Sequence, residues 1–187
     1  MLKKISLGCF ALLISVVWVT QSFALTHKDL IPFLSRVNLS GYVGDEPNGF
    51  TAMGTVTASR EYLKKGKQDL RFAATIMCGN AAKVNKSISR SGTNKHVYHT
   101  KVKGFRVTVM KGGGDCTSCG AIMVHLDKKA IFLVNYEHIS DKEALSLLRH
   151  FDLKAISQKV KGAKIPAGIM MPGFSPDTGE SEGALGY

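Results

Sequence analysis

The sequence predicts an α+β fold, an antiparallel β-sheet with a C-terminal amphipathic helix packed on one face. Two observations carry that prediction. Runs rich in β-branched and aromatic side chains recur between Thr55 and Tyr136, interrupted by short polar turns. One later segment, opening at Ser140, switches to a helical period, with Ala144, Leu147, Leu148 and Phe151 at i, i+3, i+4 and i+7. Strands succeeded by a segregated helix describe a sheet covered by helix on one side, with the other side solvated or closed by the lead-in.

The chain opens with the three parts of a secretory leader over residues 1–24. Lys3 and Lys4 give a positive start, Leu7 to Val19 is apolar, and Ser22-Phe23-Ala24 presents small residues where a signal peptidase reads. The apolar run is short for a bilayer span, which needs about 20 residues. Leu7-Gly8-Cys9 looks like a lipidation site but precedes the apolar run instead of closing it. Cleavage after Ala24 therefore predicts a periplasmic or secreted protein with no transmembrane span in the mature chain.

Thr26-His27-Lys28-Asp29 reads as the capped start of a short helix that Pro32 limits. Val37 to Phe50 carries Gly41, Gly44, Pro47 and Gly49 and reads as an irregular lead-in with one short strand. Thr55 to Tyr62 and Asp69 to Met77 form a hairpin across Lys64-Lys65-Gly66-Lys67. Asn80 to Asn94 is polar, and its pattern leaves helix and loop open. Val97 to Val102 and Phe105 to Met110 are strands, Gly112-Gly113-Gly114-Asp115 breaks the chain, and Ala121 to Leu126 and Ala130 to Tyr136 flank Asp127-Lys128-Lys129. Ser140 with Glu143 makes a capping box for the final helix, which should end near Ile156. Residues 25–156 thus form a single domain, and residues 157–187, without periodicity, read as a mostly disordered tail.

Ser59-Arg60-Glu61-Tyr62 before the Gly66 turn, Gly104-Phe105 opening a strand, the Asp127-Lys128 hairpin, and Ser140 to Leu145 leading into Phe151 to Ile156 resemble a group of small exported bacterial proteins of uncharacterised function with a PsbP-like α+β architecture. The resemblance spans about Gly54 to Ile156. It implies a non-enzymatic binding or accessory role and maps no catalytic residue onto this chain.

Three cysteines survive leader removal, Cys78, Cys116 and Cys119. In an oxidising compartment one disulfide and one free thiol is the simplest arithmetic. Cys116 pairs with Cys119 in a tight ring, or one of them pairs with Cys78; the spacing leaves both open. The same sulfurs are candidates for a metal or thiol-exchange site. Exchange gains from a helix N-terminus that lowers a thiol pKa, yet a strand comes after Cys119. Two cysteines are half of a tetrahedral metal site, and His96 and His99 would point to opposite faces of a strand. No Gly-x-Ser-x-Gly elbow, His-Glu-x-x-His pair or phosphate loop occurs, so the sequence names no catalytic residue and no cofactor.

Charge says more. Loss of Lys3 and Lys4 takes the formal charge from +11 to +9. Lys83, Lys86, Arg90, Lys95, Lys101, Lys103, Arg106 and Lys111 succeed one another with no acidic residue between them, a one-sign run that attracts polyanions by counterion release. Outside the cytoplasm the expected partner is an anionic envelope component or another envelope protein, and no nucleic acid is expected. The sequence-level expectation is a soluble, exported, non-catalytic binding or accessory protein. The alternative is a periplasmic thiol-redox or metal-binding protein using Cys116 and Cys119.

Overall fold

A computed structural model describes residues 24–91, 96–112 and 118–167, without the side chains of residues 87–91. Apart from Ala24, the predicted leader lies outside the described residues. Helix α1 (His27–Ser35) begins where Thr26 N and Oγ1 donate to Asp29 Oδ2 at 3.0 and 2.8 Å. Pro32 does not limit it: the helix continues through the proline to Ser35. One missing N–H bond is tolerated because Leu30 and Leu34, both fully buried, fix the two halves to the core.

The lead-in holds two strands instead of one, β1 (Tyr42–Gly44) and β2 (Asn48–Ala52). The predicted hairpin is β3 (Thr55–Lys64) and β4 (Lys67–Gly79), turned at Gly66, whose φ of +74° suits a residue without a Cβ. The open segment after it is helix α2 (Asn80–Ser91). Strands β5 (Val97–Val102), β6 (Phe105–Lys111), β7 (Gly120–Asp127) and β8 (Ala130–Glu137) come next as a meander. All pairings among these eight strands are antiparallel. The order is β1-β3-β4-β8-β7-β6-β5, with β2 also on β3. The return of β8 to β4 joins the hairpin to the meander, so β4 and β8 sit at the centre.

Alternation along the strands divides the core. Val56, Ala58 and Tyr62 of β3, Phe72, Ala74 and Ile76 of β4, and Phe132, Val134 and Tyr136 of β8 belong to the main buried cluster. The opposite positions Met123, Ile131 and Leu133 form a smaller cluster with Ala82 of α2.

The expected single C-terminal helix is two, α3 (Asp141–Leu148) and α4 (Leu153–Val160). Ser140 caps the first, accepting from Glu143 N at 3.2 Å, and Asp152 caps the second, accepting from Ala155 N at 3.0 Å. The break turns Phe151 inward. Its ring lies 6.1 Å from Tyr62 and from Phe72 and 4.9 Å from Phe132, and it is fully buried. α4 also runs past Ile156 to a buried Val160. Beyond it Leu25 N donates to Lys164 O at 2.8 Å, and Ile165 packs on the main cluster. The tail predicted from residue 157 is therefore structured as far as Ala167, because Leu153, Ile156 and Val160 continue one apolar stripe; residues 168–187 lie outside the described residues.

Candidate functional site

The two ends of the sheet differ in their side chains. At one end Gly79 N donates to Lys129 O at 2.8 Å, tying the β4–α2 junction to the β7–β8 turn, and the antiparallel register of β6 on β7 brings the β5–β6 turn alongside. We call this the turn end. The opposite end carries the β3–β4 turn, the β6–β7 connection with Cys119, and the start of α3.

The basic run of the sequence is split between them. Lys101 and Arg106 are direct cross-strand partners, both exposed, next to the β5–β6 turn. Lys103 stands in that turn at φ +49°, its Nζ donating to Phe151 O at 3.1 Å. Lys86 reaches across from α2 and donates to Asp127 O and, at 3.0 Å, to Lys128 O. Lys83 is exposed on α2. Lys111, by contrast, belongs to the other end, where it pairs with Asp141 at 3.3 Å beside the Tyr98 ring. The side chain of Arg90, and Lys95 as a whole, lie outside the described residues.

The fold adds two cations that the sequence treats as turn residues: Lys128 and Lys129, both exposed. Asp127 and Asp152 contribute carboxylates at this end, yet among the described residues Lys101, Lys103, Arg106, Lys128 and Lys129 form no ion pair. Beside Lys101 and Arg106, buried Thr108 Oγ1 lies 3.2 Å from His99 Nδ1 and 3.1 Å from His125 Nε2. These three residues are far apart in sequence, and the β5–β6–β7 register alone brings them together.

At the opposite end, which we call the compensated end, Lys64, Arg71 and Lys111 face carboxylates, whereas Lys65 and Lys67 of the β3–β4 turn form no ion pair among the described residues. Glu143 accepts from Lys64 Nζ at 3.0 Å and from Tyr42 Oη at 2.9 Å, and the Lys64 ammonium holds its carboxyl below the ordinary range. Arg71 lies between Glu61 at 3.8 Å and Glu137 at 4.0 Å. Asp141 accepts from Tyr136 Oη at 2.8 Å, with Tyr98 Oη 3.5 Å away. Burial, then the Asp141 carboxylate, pushes the Tyr136 hydroxyl upward. Gly120 is needed here, since a Cβ would strike Tyr136 Oη and the Met110 carbonyl. Gly112 N closes the base of the cysteine loop on Cys119 O at 2.6 Å. Tyr98, Asp141, Leu145 and Arg149 line an open cleft of about 450 Å³ along α3.

The cysteines separate along the same axis. Cys78 is a free thiol buried in the main cluster, so the long-range bridge through Cys78 is not formed. The register explains why. Cys78 lies opposite Ala130 and Gly120 opposite Tyr136, six residues along β8, or about 20 Å. Burial pushes the Cys78 thiol up to about 12, which suits neither metal ligation nor nucleophilic attack. Cys116 lies outside the described residues. Among the described residues no group of three or more His, Cys, Asp or Glu is arranged to hold a metal ion, and no helix is long and apolar enough to cross a membrane. No protein-family model, curated protein or solved structure matches the chain.

Proposed function

We propose that this chain is an exported, non-catalytic binding or accessory protein of the cell envelope that recognises an anionic partner through the turn end of its sheet. The observation that carries the reading is the gathering of Lys101, Arg106, Lys128 and Lys129 at one end without carboxylate partners among the described residues. Unpaired cations on a rigid frame concentrate positive potential and raise the rate of anion capture. In this reading the C-terminal helices cover one face of the sheet and leave the strand ends to do the binding, and the PsbP-like resemblance supports a non-enzymatic binding or accessory role. The test is retention of the mature chain on immobilised heparin and on anionic vesicles across a salt gradient. Strong retention that K101E/R106E/K128E/K129E abolishes supports the proposal; no retention at low salt removes it.

The cysteine loop supports a narrower statement. Because Cys78 is free and about 20 Å from the loop base, we infer that Cys116 and Cys119 pair with each other. A thiol count under denaturing conditions should give one free thiol per mature chain. Three free thiols with bound metal would favour the thiol-redox or metal-binding alternative instead.

A further inference from the structure

The turn end also carries an apolar patch. Met53 is 70 % exposed, Phe50 55 % and Val84 57 %. They surround one corner. Phe50 pairs with Thr57, and both project to the side of the sheet on which α2 lies. Met53 stands in the β2–β3 turn, its carbonyl accepting from Asn80 Nδ2 at 3.2 Å. The described chain ends at this corner. Ile165 Cγ2 lies 3.1 Å from where a Gly79 Cβ would stand, and Pro166 O 3.9 Å from that of Gly54. Gly79 is in turn bonded to Lys129 O.

The segment beyond Ala167 matches the corner in both apolar character and charge. Ile169, Met170, Met171 and Phe174 are apolar; Asp177, Glu180 and Glu182 come next, and residues 168–187 contain no Lys or Arg. At roughly 3.3 Å per residue the chain reaches up to about 33 Å by Asp177, ample for the patch and for the neighbouring lysines. Burying Met and Phe side chains against exposed apolar ones gives the attraction, about 25 cal/mol per Å². Three carboxylates beside ammonium groups that form no ion pair among the described residues give the direction.

We propose that residues 168–187 dock on their own domain, with Ile169 to Phe174 against Phe50, Met53 and Val84, and Asp177, Glu180 and Glu182 against Lys128 and Lys129. The segment then competes with an external polyanion for the turn end. That last consequence rests on the proposed function; the docking itself does not.

Zero-length carbodiimide coupling of the full mature chain at low salt, read by mass spectrometry, tests it. Links from Asp177, Glu180 or Glu182 to Lys128 or Lys129 within one molecule are expected, reduced at least tenfold by Phe50→Ser with Met53→Asn. Links spread equally onto Lys64 and Lys65 at the far end overturn the proposal. Links formed between molecules overturn it too, assigning the patch to a second copy. On heparin, D177N/E180Q/E182Q should elute at higher salt than the unaltered chain; identical elution of two retained proteins refutes the competition. If neither is retained while the intramolecular links persist, the anionic-partner reading fails and the docking stands.

Discussion

The compensated end of the sheet and the turn end differ in how most of their cations are used, Lys65 and Lys67 being unmatched at the former among the described residues. At the first, Lys64, Arg71 and Lys111 each face a carboxylate within 4.0 Å, and Tyr42 and Tyr136 donate to the same acids. At the second, Lys101, Arg106, Lys128 and Lys129 form no ion pair among the described residues, and Lys103 donates to the Phe151 carbonyl. The contrast separates two roles of a basic residue. Where ammonium groups are matched, their charge is used in holding the fold. Where they are unmatched, it remains available to a partner.

Substitutions can break that contrast. The largest effect belongs to Phe151→Ala, which empties the aromatic cluster it shares with Tyr62, Phe72 and Phe132 and should cost about 3–5 kcal/mol in urea unfolding; a loss below about 1 kcal/mol would show that the cluster does not order the core. Next is Tyr136→Phe at the compensated end. Deleting the hydroxyl strips Asp141 of its 2.8 Å donor and should cost about 1–3 kcal/mol. Gly120→Ala belongs beside it, since overpacking against Tyr136 typically costs about 1–3 kcal/mol.

Acid should act through the paired carboxylates. Asp29 is lowered to about 2, chiefly by its hydrogen bond from Lys159 and then by Thr26, and Glu143 is lowered chiefly by Lys64. A carboxyl lowered by folding stabilises the fold fully above its unfolded value near pH 4, and that stabilisation is lost as pH falls through the folded value. Stability should therefore decline between about pH 5 and pH 2, and D29N/E143Q should flatten the decline; an unchanged slope in the double variant would contradict these assignments. The smallest stability effect is expected at the turn end: Lys101→Ala, Arg106→Ala, Lys128→Ala and Lys129→Ala should each stay within about 0.5 kcal/mol while lowering the salt needed for elution from heparin. A large loss of stability on removing any of them would erase the distinction between the ends.

Much of the architecture was legible in the chain. The β3–β4 hairpin announced itself through β-favouring runs around Lys65-Gly66, and β7–β8 through Asp127-Lys128-Lys129. The Ser140 cap was readable from its Glu143 partner. The break at Phe151 was not, because an apolar stripe keeps its helical period across a capped interruption, and Asp152 reads equally well as a polar face residue. Pro32 inside α1 misled for a related reason: tertiary burial of Leu30 and Leu34 outweighs a local penalty. The candidate site was half visible. Lys101 and Arg106 sit within the basic run, whereas Lys128 and Lys129 join them through strand order, and Lys111 leaves them because it stands at the far end of β6.

Local pattern was enough for the long strands from Thr55 to Tyr136, the Ser140 helix start and the excess of positive charge, because periodicity, caps and turn residues act over a few neighbouring positions. Tertiary structure alone decided which cations are matched by carboxylates, that Cys78 stays buried and apart from Cys119, and that the described chain ends beside Met53 and Lys129. Those outcomes depend on β8 returning to β4, a pairing between segments distant in the chain, and local patterns hold no record of such a pairing.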